Sequence, residues 1–444
     1  MRPFVRWDAP YRLTRMLHVS STCAKKEMPT KKPKDTGGST CPLRSTIAQE
    51  LSRKGFDLVQ AGDGAAGLAC HVAATALPGA NSYDFFHRAR AEQHLGQDAA
   101  AGSSYERAVN PSQPPQLETS ILTEAYFQLG KIARDSGDLA RAAKAYTASI
   151  RLAPDSPGSY IMHGVVLKEL GRVEEAITQY SIGLRMQPNI PAAQFNRAQA
   201  LRELQRYDEA MPGFEATVRL DPTFGVAYEA LGDAHLYAER WEAAEDAFSA
   251  YLSLTPDASS AYYSIGKVYF STRRLAECVA AHKQALRLPE TALVPRAYVH
   301  NDLGNALSEL SARSDEVLHH YSEAARLMPR FAEALSNVGT GLKERGRHEE
   351  AAYSFQRAIA AKPTLCEAYK NLGSSYGEID GKLPEAVQAF EGALAINPQV
   401  GLQLLGLLVA SYGFGLLRMA SDGFGWLRMA PDGCCSLLMA PDRS

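Results

Sequence analysis

At 444 residues, the chain exceeds a usual single globular core, and 45% hydrophobic with 22% charged residues is ordinary for a soluble folded protein. Net charge is −2, yet nine of the 47 basic residues and only two of the 49 acids fall within residues 1–34. The remainder is therefore acidic, which disfavours a nucleic-acid partner held by its phosphate backbone. Seven cysteines without CxxC spacing, and no secretory-type leader at the N-terminus, make a reducing compartment the expected address, read as cytoplasmic.

Residues 1–46 combine Arg2, Arg6, Arg12 and Arg15 with few acids and continue into KKEMPTKKPK. A disordered basic tail, a mitochondrial-type presequence and a nuclear-import patch all fit that composition. Residues 47–113 hold two stretches, 51–78 and 85–111, each reading as helix, Gly-Asp or Gly-Gln turn, helix and proline. The proline-rich NPSQPPQLET at 110–119 then sets a linker over 114–122.

From residue 123 the chain repeats itself. Pro154, Pro188, Pro222 and Pro256 stand 34 residues apart, the spacing returns from Pro329 to Pro363, and Pro398 follows one residue late. The longer gap from Pro289 to Pro329 implies an insertion around ETALVP. Within a period, Tyr126, Leu129, Gly130 and Ala133 form one helical stripe and Ala142, Tyr146 and Ser149 a second, separated by the polar turn at 136–138. Each period is thus a helical hairpin closed by a proline, which lacks an amide proton and restricts its predecessor. Gly130, Gly164, Ala198, Gly232, Gly266, Gly304, Gly339 and Gly373 recur where the paired helices must approach, and a larger side chain there would overpack.

After residue 400 the pattern fails. The run 400–417 is long and apolar but broken by glycines and Gln403, so a membrane span is disfavoured and 401–412 is expected to cap the last hairpin. GFGLLRMASD, GFGWLRMAPD and GCCSLLMAPD then form a low-complexity decapeptide tail over 413–444, with a period that matches no packing unit.

The ordered series aromatic, Leu-Gly, Ala, aromatic, Ala and Pro resembles the tetratricopeptide repeat superfamily. Residues 123–156, 157–190, 191–224, 225–258, 259–292, 297–331, 332–365 and 366–400 fit it, making eight repeats over 123–400 and two degenerate ones over 47–113. Gln194 and Arg197 in the third, and Cys278 and His282 in the fifth, depart from its apolar positions. The resemblance implies an all-α fold, a right-handed superhelical solenoid of antiparallel helix pairs. It also implies a concave groove, lined by first helices, that binds a protein or extended peptide. The groove-facing register of that family selects Asn196, Asn337 and Asn371, whose amides can both donate to and accept from a peptide backbone. It also selects the cations Arg134, Lys168, Arg202 and Lys343, each followed by an acid, read either as a mutually paired surface or as a track for an acidic peptide.

Two narrower likenesses follow. The stretches ALSNVGTGLKERGRHEEA and AYKNLGSSY resemble the repeat region of O-linked N-acetylglucosamine transferases, with no glycosyltransferase domain after them, so the recognition half of a split or truncated enzyme is the alternative. Against the chaperone carboxylate clamp, Asn305, Asn337 and Lys370 match, while Asn301 replaces a lysine and Ser374 an arginine. No phosphate-cradling glycine loop, HExxH, nucleophile elbow or histidine ligand spacing occurs, so no catalytic residue, metal or cofactor is expected. His163, His235 and His282 fall on apolar repeat positions and read as packed, His319 and His320 as lying on different helix faces, and Glu174/Glu175 and Glu349/Glu350 as complements of helix dipoles. The expected function is a non-catalytic interaction scaffold or adaptor.

Overall fold

The computed structural model describes residues 42–397 apart from 78–79, 111, 113–116, 290–294 and 311–314, together with 399, 427–429 and 435–437. The 1–41 part of the basic tail, residues 114–116 of the linker, the segment 401–412 and most of 413–444 lie outside these residues. The described residues form 20 helices and one short strand pair, in two compact units divided between Ile132 and Ala133.

The first unit contains α1 (Pro42–Gln60), α2 (Gly64–Ala76), α3 (Ser82–His94), α4 (Asp98–Ala108) and most of α5 (Thr119–Asp135). Helix α1 begins inside the segment read as a tail. Helices α1 and α2 pack as a pair, as do α3 and α4, and α2 packs on α3. Asn81 caps α3 through a capping box: its Oδ1 accepts from the amides of Tyr83 and Asp84, while Asp84 accepts from the Asn81 amide at 2.9 Å. Buried Glu92 is satisfied by Arg88 at 2.8 Å and by the Ser104 hydroxyl at 2.6 Å.

The second unit continues through α6 (Leu139–Leu152), α7 (Pro157–Glu169), α8 (Val173–Met186), α9 (Pro191–Glu203), α10 (Tyr207–Leu220), α11 (Gly225–Tyr237) and α12 (Trp241–Leu254). It proceeds with α13 (Ser259–Ser271), α14 (Leu275–Arg287), α15 (Arg296–Leu310), α16 (Asp315–Leu327), α17 (Ala332–Lys343), α18 (His348–Ala361), α19 (Cys366–Gly377) and α20 (Leu383–Ile396). From α7 onward each odd-numbered helix pairs with its successor, and each pair packs on the next, giving the tetratricopeptide-like all-α solenoid.

One contact repeats through this array. The rings of Tyr180, Phe248, Tyr321, Phe355 and Phe390, all buried, lie over Gly164, Gly232, Gly304, Gly339 and Gly373, where an added Cβ would sit 2.6–2.9 Å from the ring. Burying each ring contributes about 1.5–3 kcal/mol, and the missing side chain lets the helices close on it. In the third repeat the small residues change sides: Ala198 faces Gly213, whose added Cβ would lie 2.9 Å from the Ala198 Cβ. In the fifth, His282 takes the ring's place over Gly266, fully buried, with Cys278 Sγ 3.6 Å from its Nδ1. Burial lowers the His282 pKa, so the packed imidazole is neutral.

The two helices of a pair meet through a turn with one left-handed residue. It is Gly137, Gly171, Gly346 or Gly381 in four repeats, but Gln205 (φ 59°), Glu239 (φ 54°) and Arg273 (φ 63°) in three consecutive ones. The hydrogen bonding is the same in both kinds. Arg172 N donates to Leu167 O at 2.9 Å, and Arg206 N to Leu201 O at 3.0 Å, so the amide three residues past the helix end satisfies a carbonyl of its last turn.

Within the decapeptide tail, two three-residue segments are described and form strands. Strand β1 (Leu427–Met429) pairs antiparallel with β2 (Cys435–Leu437), with Leu427 opposite Leu437 and Met429 opposite Cys435.

Candidate functional site

The odd-numbered helices of the second unit are joined to one another by polar side chains at roughly one-repeat spacing. Arg134 on α5 pairs with Glu169 on α7 at 2.9 Å, Lys168 with Glu203 on α9 at 2.8 Å, and Arg202 with Asp233 on α11 at 3.5 Å. Ser260 on α13 donates to Glu229 on α11, Tyr263 donates to Asp302 on α15 at 2.8 Å, and Arg273 pairs with Glu309. Glu169 and Glu203, which follow Lys168 and Arg202 in the sequence, thus serve the cation of the preceding repeat, whereas Asp233 follows Gly232. Such half-exposed pairs contribute about 0–1 kcal/mol each, so they set register more than stability. Partial burial pushes the Asp233 carboxyl up to about 6, against the opposing pull of Arg202.

From α15 onward amides replace ions. Asn337 on α17 donates through Nδ2 to Asn301 Oδ1 at 2.9 Å and to Asn305 Oδ1 at 3.2 Å, both on α15. Asn305 Oδ1 also accepts from the Tyr321 hydroxyl at 3.0 Å, and Asn301 donates to Asp302 at 3.1 Å. One repeat on, the Lys343 ammonium donates to Asn371 Oδ1 on α19 at 3.0 Å, and burial lowers the Lys343 pKa.

The sequence-selected residues thus separate into groups. Asn301, Asn305 and Asn337 form one cluster, and Lys343 and Asn371 form a pair. Arg134, Lys168 and Arg202 are each held by an acid, and Lys370 is held by Glu367 at 2.9 Å. Asn196 stands on α9 without a hydrogen bond among the described residues. Capacity is also retained on two consecutive first helices: neither Asn337 Oδ1 nor Asn371 Nδ2 has a hydrogen-bond partner among the described residues. The first offers an acceptor and the second a donor.

Sequence reasoning missed two features. His320 meets His300 across the α15–α16 pair, Nδ1 to Nδ1 at 2.9 Å, and burial together with the neighbouring His300 lowers the His320 pKa to about 4. The basic series is also interrupted at Leu236 and Phe270, beside aromatic residues that flank the turns at Tyr207, Tyr237 and Trp241. Those aromatics were the available signal.

The array of helical hairpins, with its recurrent ring-over-glycine contact, has counterparts among known sequences. One model of the tetratricopeptide repeat matches residues 123–156, and a second matches 161–223 and 229–292. The chain carries tetratricopeptide repeats over these residues. Among solved structures, it is similar to MamA at 22% identity, covering 38% of this chain and 95% of that one with a TM-score of 0.34. YrrB, described as a TPR protein with an unusual peptide-binding site, is 19% identical over 43% of this chain and 95% of its own, with a TM-score of 0.36. The C-terminal part of a TPR repeat-containing protein from Cytophaga hutchinsonii is 18% identical over 53% and 94%, with a TM-score of 0.45. No curated protein matches. Among the described residues, no helix is long and apolar enough to cross a membrane, and no group of three or more His, Cys, Asp or Glu could hold a metal ion.

Proposed function

We propose that the second unit is a non-catalytic interaction scaffold, an adaptor whose concave first-helix face binds an extended segment of a partner protein. One observation carries this reading: Asn337 and Asn371, on consecutive first helices, retain an uncommitted acceptor and an uncommitted donor. An extended backbone presents N–H and C=O groups in alternation, and two such amides complement it without regard to side-chain sequence. The cations Arg134, Lys168 and Arg202 are secondary in this reading, because each is already engaged by a carboxylate. The chain outside residues 1–34 is net acidic, which favours a polypeptide over a nucleic acid. The cytoplasmic address belongs to the same proposal and rests on the free thiols of Cys70, Cys278 and Cys366.

The test is affinity capture on the full chain, followed by titration of the captured partner against Asn337→Ala/Asn371→Ala. Each lost hydrogen bond is worth about 0.5–1.5 kcal/mol, so affinity falls roughly five- to a hundredfold if both amides are used. Unchanged affinity with intact helicity removes the amides from the mechanism.

A second reading is favoured by the same two asparagines at equivalent places in adjacent repeats: the recognition half of an O-linked N-acetylglucosamine transferase-like enzyme. It predicts that the chain presents substrates to a separate catalytic subunit. Turnover of a nucleotide sugar by the isolated chain contradicts both readings.

A further inference from the structure

Beside the Arg202–Asp233 pair of the ion ladder lies a recess of about 610 Å³, formed where α9, α11 and α13 end and α10 and α12 begin. Its wall is aromatic. The Tyr207 and Tyr237 rings stack with centroids 3.8 Å apart at 21°, and Trp241 stands beside them. Tyr237 is 64% exposed, an apolar surface of the kind that marks recognition sites when it borders a concavity.

Two independent observations fall on the same spot. The first is backbone strain. The three turns carrying a non-glycine residue in the left-handed region, at Gln205, Glu239 and Arg273, are the three that border the recess. Among the described residues the array's other left-handed turns use glycine, and Tyr207 and Trp241 follow two of the strained residues by two positions. The second is charge. Glu203 is engaged by Lys168 at 2.8 Å and Asp233 is near Arg202 at 3.5 Å, whereas Lys267 has no carboxylate within ion-pair distance among the described residues. Its ammonium lies 5.7 Å from the Tyr263 ring and acts on Asp233 only at longer range, so Lys267 is the cation lining the recess that has no ion pair of its own.

We propose that this recess receives an aromatic or long aliphatic side chain of a bound polypeptide, with an acidic residue beside it in the polypeptide meeting Lys267. The assignment rests on the reading that this protein binds a polypeptide, and it adds the side-chain specificity that backbone-directed asparagines lack. Stacking on Tyr237 supplies affinity and Lys267 supplies the charge preference.

A random peptide library displayed on phage, panned on the full chain and on folded variants, tests the idea. Wild type is expected to enrich peptides with Phe, Tyr, Trp or Leu next to Asp or Glu. Lys267→Glu is expected to turn the neighbour basic. Tyr237→Ala is expected to weaken the selected peptide about tenfold or more, as for a central aromatic anchor. Melting temperature and helicity of the variants must match wild type. Lack of enrichment on wild type, an unchanged charge preference in Lys267→Glu, or binding by Tyr237→Ala within about twofold of wild type overturns the proposal. Asn337→Ala/Asn371→Ala separates it from the reading on which it rests. If that variant loses binding while Tyr237→Ala does not, the asparagine face stands and the recess does not.

Discussion

The two ends of the first-helix face solve one problem differently. From Arg134 to Asp233 neighbouring repeats are tied by ion pairs, whereas from Asn301 to Asn371 they are tied mainly by amides. A cation facing a carboxylate leaves a neutralised pair with little directional preference for a third group. Asn337 and Asn371 each use one end of the amide and leave the other end available. The same hairpin scaffold therefore yields a stretch concerned with register and a stretch with unused recognition capacity.

The largest expected effect tests whether the scaffold really is common to both. Gly232→Leu in the ionic stretch and Gly339→Leu in the amide stretch each force a side chain into a ring, Phe248 or Phe355, that an added Cβ alone would approach to 2.6 and 2.7 Å. Both should lose about 1–3 kcal/mol in denaturant titrations. A variant that keeps its midpoint shows that its repeat packs differently from the others.

This part of the fold was legible because it is local in period. A glycine and the ring above it lie in one hairpin, and their 34-residue recurrence exposes them without three-dimensional information. The polar face was only half legible. Register placed Asn337 and Asn371 on equivalent turns, but the partners of Asn337 lie 36 and 32 residues away, and which of them it reaches depends on how one hairpin rotates against the next. The His300–His320 contact was hidden for a related reason. Adjacency of His319 and His320 shows that they face apart, not what either faces. The left-handed turns were hidden more deeply, since Gln205, Glu239 and Arg273 are poor candidates for that conformation and only the period places them opposite Gly171.

The second effect is a pH dependence that arises in the amide stretch. His320 is lowered from 6.5 to about 4 by burial and by His300, so between those values the unfolded chain binds more protons. Its contribution is present above pH 6.5 and is lost as pH falls toward 4, by about 1–2 kcal/mol once partial solvent access is allowed for. Melts of wild type and His320→Gln should diverge above pH 6.5 and converge near pH 4. Parallel curves rule out this residue as the source.

Smaller again is the strain in the turns. Gln205→Gly removes the Cβ conflict of a left-handed residue but adds glycine's freedom to the unfolded chain, leaving a net gain of about 0.5 kcal/mol. The reverse change, Gly171→Gln, should lose a similar amount in thermal melts. If Gln205→Gly is neutral and Gly171→Gln is costly, contacts of the Gln205 side chain compensate the strain.

The smallest effect returns to the ionic stretch with the opposite sign. Asp233 has its carboxyl raised from 3.8 to about 6 by partial burial, so folding favours its protonated form. Stability associated with this group is complete below pH 3.8 and is lost as pH rises through 6, the reverse of His320 in an overlapping window. The side chain is nevertheless 41% exposed, so water screens most of the penalty, and its 3.5 Å separation from Arg202 is too long for strong compensation. Asp233→Asn should therefore equal wild type near pH 4 and be more stable by no more than about 0.5 kcal/mol at pH 7, measured by paired denaturant titrations. A loss of about 1 kcal/mol or more at pH 7 means that the Arg202 contact outweighs the burial. The ion ladder would then stabilise the array as well as align it, and the contrast between the two stretches would narrow.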